Sequence, residues 1–328
     1  MGTIRLNLEI RPGIKINVVA KSPVIGTYEI FVSPTVAKVV SVNPDAIAEE
    51  TEKLTLAAQT ISNAMGYSIP TGALSRAKTA ILGNALRVAF WGDSITEGFD
   101  YGDISSIYAS RLTTLLKKIF PNVAITAQNF GLGSRTASYA ALSTYCGISS
   151  DPSNINDGFW RYWSVIGKSW RDHVKEFEPD LLFIAFGMND TPDGYVNEVN
   201  HITNIINFVN TWDVVPSIVL VTTQLPTVFS YRSSQNQSLT NDMARAFRDT
   251  AEASSLACAD ASRIFQAIRD GHDPVTQANF QKIFYEDTLL GSYPPDARHG
   301  NGINHPTDIG HGLHYLASFS NVINSLLG

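Results

Sequence analysis

From Ile4 to about Val42 apolar and polar residues alternate along the chain. Ile4, Leu6, Leu8 and Ile10 stand between Arg5, Asn7 and Glu9, and Arg11-Pro12-Gly13 then supplies a turn. A period of two places alternate side chains on opposite faces of a strand, so this stretch predicts short strands, with further ones at Ile14 to Val19 and Tyr28 to Val32. Residues 1–43 therefore read as a small antiparallel β-rich region. It has too few residues to bury a large core and is expected to lean on the rest of the chain or on another copy.

The period changes between Asp45 and Met65. Ile47, Leu54 and Ile61 recur every seventh residue, with Ala57 and Ala64 at the intervening d-like positions. That is a heptad pattern, and it leaves two readings open: a seam between copies of the chain, as in a trimer, or a helix packed against its own domain. The stretch from Gly66 to Gly83, with Pro70, Thr71 and Gly72, reads as a connector. Residues 44–84 are thus expected to be a helical segment and linker.

From Arg87 onward apolar strands alternate with amphipathic helices, the pattern of a parallel sheet covered on both faces. Strands are predicted at Arg87 to Trp91, Val123 to Phe130, Asp180 to Phe186, Ser217 to Thr223 and Leu256 to Cys258. Helices are predicted near Ser106 to Ile119, Ser164 to Phe177, Glu198 to Trp212, Asn241 to Ser254 and Asp308 to Leu326. Residues 85–328 then form one doubly wound α/β domain.

Composition removes several function classes. The chain has 328 residues, 44% of them hydrophobic and 16% charged, enough for a full α/β core beside a smaller region. Its formal net charge is -6, and the Lys and Arg residues are scattered, so no basic stripe is available for nucleic acid. No stretch approaches the roughly 18 consecutive apolar residues of a membrane helix, and a soluble protein without a membrane partner is expected. The alternating N-terminus has none of the features of a signal peptide. Cys146 and Cys258 match no metal or redox spacing and read as free thiols.

In an open parallel sheet, ligands bind beyond the carboxyl ends of the strands, where loops converge and helix N-termini present N–H groups. Three of these ends carry Gly92-Asp93-Ser94-Ile95-Thr96, Asn129-Phe130-Gly131 and Gly187-Met188-Asn189-Asp190; a fourth element, Asn304-His305-Pro306-Thr307-Asp308, enters the last helix. Acyl transfer needs an activated hydroxyl, a base within reach, and donors aimed at the developing oxyanion. Ser94 can supply the hydroxyl, His305 the base, the Gly131 backbone and the Asn189 amide the donors. Each has a plainer alternative: Ser94 as a helix N-cap, Gly131 and Asn189 as turn residues. His311 and His314 share a helix face, but no third ligand accompanies them, and they read as solvated or packing residues.

Together, the ordered Gly-Asp-Ser, lone Gly, Gly-x-Asn-Asp and His-Pro resemble the SGNH (GDSL-like) serine hydrolases, over about Arg87 to Gly328. The resemblance implies a flavodoxin-like three-layer α/β/α fold, Ser94 as nucleophile, His305 as base, and Gly131 and Asn189 as oxyanion donors. It implies no metal and no organic cofactor. The chain departs from the family at one place. Members commonly carry an Asp three residues before the His, or four in the Asn-His-Pro variant, and those positions here are Gly302 and Asn301. The Asn301 amide oxygen can accept a hydrogen bond from the imidazole without supplying charge. Asp296 and Asp308 are the nearest carboxylates in sequence.

The segment from Ser143 to Trp170 sets Tyr145, Phe159, Trp160, Tyr162, Trp163 and Trp170 among small polar residues. Aromatic faces beside polar groups suit sugar rings, although such residues also anchor long loops. Trp160, Trp163 and Asp93 are the candidate substrate contacts. The expected function is a serine esterase that removes O-acetyl groups from a polysaccharide. Its rivals are a lipid esterase or acyltransferase, and a glycan-binding surface or virion protein with a degenerate site. A β-rich start followed by a heptad helix also resembles the architecture of phage tail-fibre and tailspike proteins.

Overall fold

A computed structural model describes residues 3–11, 14–21, 27–33, 69–98, 105, 107–142, 168–226, 236–270, 304–306, 311 and 316–328. Near the N-terminus, β1 (Thr3–Arg11), β2 (Ile14–Lys21) and β3 (Thr27–Ser33) pair antiparallel in the order β1-β2-β3. The register sets Leu6 opposite Val18 and Ile16 opposite Val32, so apolar positions of the alternating pattern fall at paired places along the strands. The heptad segment from Asp45 to Met65 lies outside the described residues.

The larger unit begins at α1 (Ser75–Leu82), inside the stretch expected to be a connector. Pro70 and Gly72 form a turn ahead of this helix rather than marking a linker throughout. Leu74, Ala77 and Ile81 fall at helical spacing, and the first two are buried on the sheet with Ile81 packed beside them. The Ala77 N–H also donates to the buried Ser217 Oγ at 3.1 Å.

Five strands follow: β4 (Ala85–Gly92), β5 (Ala124–Asn129), β6 (Leu181–Ala185), β7 (Ser217–Val221) and β8 (Ala257–Ala259). All pair in parallel, in the order β5-β4-β6-β7-β8, which is the flavodoxin-like order. The described helices are α1, the short α2 (Ser94–Glu97), α3 (Tyr108–Ile119), α4 (Ala137–Ala141), α5 (Trp170–Glu176), α6 (Gly194–Val209), α7 (Gln237–Ala253), α8 (Ala261–Asp270) and α9 (Leu316–Leu327). The sequence pattern did not indicate α4 or α8. Helix α8 follows β8 directly, with no polar loop to mark its start, and Asp260 Oδ1 accepts from the Arg263 N–H at 3.2 Å as its cap.

Period-two burial divides the strand residues between two cores. Val88, Phe90, Leu181, Phe183, Val219 and Val221 face one side, against residues of α1, α3 and α9. Ala89, Trp91, Leu182, Ile184, Ile218 and Leu220 face the other, against residues of α4 to α7. Both faces are covered, so the strands read as nearly continuous apolar runs. In the first core Phe90 stacks on Phe183 at 5.1 Å between ring centroids, and Phe319 of α9 meets Phe183 edge-on at 5.2 Å. In the second, Trp91 and Trp170 meet edge-on at 5.9 Å.

This order decides where a site can form. The chain leaves β4 for β5 on one side, then crosses back to β6 on the other, and connections that diverge in this way leave a crevice above the carboxyl end of β4. Phe183 joins the central strands to α9, and its ring is fully buried. Phe183→Ala should therefore cost about 3–5 kcal/mol of stability, as for other buried aromatic truncations. Chemical denaturation checks this, and a loss below about 1 kcal/mol would contradict the packing described.

Candidate active site

Strand β4 runs out at Gly92, and the chain turns at once into α2, with Ser94 as its first helical residue. The cap of that helix is Asp93, whose Oδ1 accepts the Ile95 N–H at 2.9 Å. Ser94 is therefore not the capping residue, and its hydroxyl is engaged elsewhere: Ser94 Oγ lies 2.8 Å from His305 Nε2. Both side chains are buried, at 5% and 7% exposure. This is the nucleophile-to-base distance that general-base activation of a hydroxyl requires.

Asp93, expected to meet substrate, is buried at 2% exposure beneath the turn. Besides the Ile95 N–H it accepts a backbone hydrogen bond from Met188, which ties the β4 end to the loop after β6. Burial pushes its carboxyl up to about 7; the Ile95 N–H opposes that rise, the Asp190 charge adds to it, and His305 pulls back down. Its place is that of a cap and tie under the nucleophile.

Gly131 lies where no side chain fits. A Cβ there would fall 2.2 Å from the Glu97 nitrogen and 2.6 Å from its Cα, so the loop after β5 rests directly on the backbone of α2. The flanking bonds continue the strand ladder: Phe130 N–H donates to Phe90 O at 2.7 Å and Leu132 N–H to Gly92 O at 2.9 Å. Asn129 staples the contact, donating to Thr96 O at 2.6 Å and accepting the Gly131 N–H at 2.8 Å. The Gly131 N–H is thus held by Asn129.

The loop after β6 carries Asn189, whose amide donates to Arg135 O at 3.2 Å. Gly187 starts this loop with φ at +114, a conformation that side chains rarely adopt. Asp190 is fully buried and closes the loop: its Oδ2 accepts the Gly187 N–H at 2.9 Å, and its Oδ1 accepts the Ala137 N–H at 2.6 Å. One carboxylate therefore joins the loop bearing Asn189 to the start of α4 on the loop bearing Gly131.

His305 is brought in from the far end of the chain. Gln224, fully buried just past β7, donates to the carbonyl of Asn304 at 2.8 Å. A second link runs through Thr96, whose Oγ1 lies 2.7 Å from Tyr108 OH. The Tyr108 N–H donates to His311 Nδ1 at 3.3 Å, and the two rings stack at 6.1 Å. Burial pushes the Tyr108 phenol above its ordinary range, so it stays neutral. His311 is buried and accepts at the start of α3, a packing and capping place. His314, Asn301, Asp296, Asp308, Trp160 and Trp163 lie outside the described residues.

The quartet read from the strand ends is thus brought to one edge of the sheet. Asn129 and Asp190 stood inside the motifs without an assigned role, and Gln224 was missed. A signal for Gln224 was present, since Thr222-Thr223-Gln224 ends an otherwise apolar strand on the ligand-binding edge. Among the described residues no helix is long and apolar enough to cross a membrane.

The sequence pattern of the GDSL-like Lipase/Acylhydrolase family matches residues 90–313. No curated protein matches the chain. Among solved structures, a two-domain esterase (CEX) active on acetylated mannans, co-crystallised with mannopentaose, is similar at 19% identity and a TM-score of 0.51, over 80% of this chain and 55% of that one. A second structure of that esterase gives 20% identity and a TM-score of 0.50, over 79% and 55%. The chain thus spans about half the length of these two matches. A variant of Axe2, an acetyl xylan esterase from Geobacillus stearothermophilus, is similar at 16% identity and a TM-score of 0.44, over 72% of this chain and 94% of that one.

The close approach at Gly131 yields a direct test. Gly131→Ala should displace α2 or the loop after β5, because the clashing atoms are backbone. Destabilisation of about 1–3 kcal/mol is expected, the usual cost of overpacking. Unchanged thermal stability in this variant would contradict the contact.

Proposed function

The chain belongs to the GDSL-like lipase/acylhydrolase family, and from that premise we propose that it hydrolyses O-acyl esters of a carbohydrate or polysaccharide, O-acetyl groups above all, through an acyl-Ser94 intermediate. The observation that carries this reading is the 2.8 Å contact between Ser94 Oγ and His305 Nε2. An intact contact of this kind favours an enzyme over a glycan-binding protein with a degenerate site. The substrate class is supported by the acetylated mannans of the esterase whose fold is shared, and by the aromatic segment containing Trp160 and Trp163.

In this mechanism the neutral His305 accepts the Ser94 proton at Nε2 as Oγ bonds to the ester carbonyl carbon. The carbonyl oxygen becomes an oxyanion among the Ser94 N–H, the Asn189 amide and the Gly131 N–H once released from Asn129. Collapse breaks the bond to the sugar oxygen, which leaves with the proton from His305. Water, deprotonated by His305, then attacks the acyl-enzyme, and collapse returns Ser94 and free acetate. The imidazolium must be oriented through Nδ1, and Asn301 is the residue proposed for that task; it can hold the tautomer but offers no charge.

A second part of the proposal concerns the residues ahead of α1. The antiparallel β1–β3 unit ahead of the hydrolase domain supports a role in assembly or attachment, of the kind served by N-terminal regions of phage tail-fibre and tailspike proteins. Light scattering of the full chain should then show an oligomer, a trimer if the heptad positions form a seam; a monomer would contradict this part.

Acetate release from acetylated mannan and xylan tests the principal reading. Ser94→Ala should abolish release while the protein remains folded, since only a small void is created. Asn189→Ala should lower kcat by about 10²–10³, the usual cost of one oxyanion donor. Near-normal turnover by folded Ser94→Ala would overturn the mechanism, and a change confined to KM would make Asn189 a substrate contact instead.

A further inference from the structure

Between Leu132 and Thr136 the loop after β5 has little chain with which to turn. At one end the Leu132 N–H donates to Gly92 O at 2.9 Å, in line with the strand ladder. At the other, Thr136 caps α4, its Oγ1 accepting the Tyr139 N–H at 3.5 Å. Gly133, Ser134 and Arg135 make the connection, and Ser134 does so with φ at +59. A side chain at positive φ crowds the backbone, so residues other than glycine adopt it rarely and β-branched ones hardly at all. Asn84, Glu178 and Ser255, the other non-glycine residues with positive φ among the described residues, stand in the turns that lead into β4, β6 and β8. Ser134 stands at the opposite edge of the sheet, where its neighbour Arg135 meets Asn189.

Arg135 O accepts the Asn189 amide at 3.2 Å, and two residues further on the Ala137 N–H donates to Asp190 Oδ1 at 2.6 Å. The turn at Ser134 thus lays one acceptor and one donor against two consecutive residues of the loop after β6. The acceptor has a chemical consequence. A carbonyl cannot donate, so it selects the Nδ2 end of Asn189, which only donates, over the Oδ1 end, which only accepts. Nδ2 carries two hydrogens: one goes to Arg135 O, and the other is the donor that the mechanism above assigns to the oxyanion. A flipped amide would set Oδ1 in that place, against both oxygens.

 We propose that Ser134 is a positioning residue of the oxyanion hole: its left-handed turn brings the Arg135 carbonyl to the Asn189 amide, and that bond holds Nδ2 toward the ester oxygen. This rests on the hydrolase reading given above.

Two further features bear on this role. The Ser134 side chain is exposed, so what acts is the backbone conformation it permits rather than a contact of its own. The Arg135 guanidinium lies over the Tyr139 ring at 5.2 Å, which ties the residue after the turn to α4 while its carbonyl is tied to Asn189. Backbone held in a sparsely populated conformation persists where the surroundings fix it on both sides, as they do here.

The test compares the full-length wild type with Ser134→Gly, Ser134→Ala and Ser134→Val on p-nitrophenyl acetate. Glycine adopts positive φ freely, and Ser134→Gly should keep kcat and KM within about twofold of the wild type. Valine resists it, and at an exposed position its bulk meets no core. Ser134→Val should therefore lower kcat about tenfold or more while KM stays within about threefold, because an oxyanion donor acts in the transition state. Ser134→Ala should fall between the two. Added to Asn189→Ala, Ser134→Val should cause no more than about a twofold further loss, since its effect runs through that amide. An unchanged kcat in folded Ser134→Val, an equal loss in Ser134→Gly, or a full further loss in the double variant would overturn the proposal.

A second measurement does not depend on esterase activity. The side-chain amide signals of Asn189 in a proton–nitrogen correlation spectrum, assigned by their loss in Asn189→Ala, should keep their positions in Ser134→Gly. They should move in Ser134→Val and, less far, in Ser134→Ala, as one amide proton loses the Arg135 carbonyl. Signals unmoved in both of these variants would overturn the proposal. If the signals move as expected but the wild type hydrolyses no ester, the hydrolase reading fails while the hold of the turn on Asn189 stands.

Discussion

The hydrogen bond between Ser94 and His305 joins positions 211 residues apart, and most of the site can be read as what is needed to hold it. Closing a contact of that separation costs chain entropy, so its geometry rests on the packing of the elements that bring the two positions together. Ser94 is placed by the end of β4 and the Asp93 cap. His305 is placed by the Gln224 bond to the Asn304 carbonyl, while further along the chain Phe319 of the C-terminal helix is seated against Phe183 in the core. The covered sheet is thus the frame that fixes both partners.

The same edge of the sheet carries an unusual load of buried polar groups. Asp93, Ser94, Asp190, Glu198, Gln224 and His305 are all nearly inaccessible to solvent. Buried groups of this kind are costly unless bonded, and here most of the bonds run between loops rather than within them. Asp93 spans the ends of β4 and β6, Asn129 spans the loop after β5 and α2, and Asp190 spans the loop after β6 and α4. Satisfying the polar groups and aligning the loops are therefore the same event. That coupling explains why residues without a chemical step of their own bear on the geometry of those that have one.

Much of this architecture was legible in the sequence. The alternating apolar strands and amphipathic helices gave the five strands to within two residues at most of their ends, because a strand buried on both faces leaves few polar positions inside it. The four motif elements were legible because they stand at the ends of such strands. What escaped was local or nonlocal in kind. Helix α1 was read as a connector because Pro70 and Gly72 outweighed the short apolar face of Leu74, Ala77 and Ile81. Asp93 was read as a substrate contact because a sequence does not show that the neighbouring Ile95 and Met188 N–H groups turn inward. Gln224 was not singled out, since its partner, Asn304, is set by folding rather than by spacing.

The central claim is that Ser94 is a nucleophile activated by His305. Mass mapping of the adduct formed with a fluorophosphonate probe tests it most directly, because the probe reports the reactive hydroxyl without knowledge of the natural ester. The account predicts a single adduct on Ser94 in the wild type, and its loss or marked slowing in folded His305→Ala. An adduct on a different residue, or labelling of Ser94 at an undiminished rate without the imidazole, would contradict it.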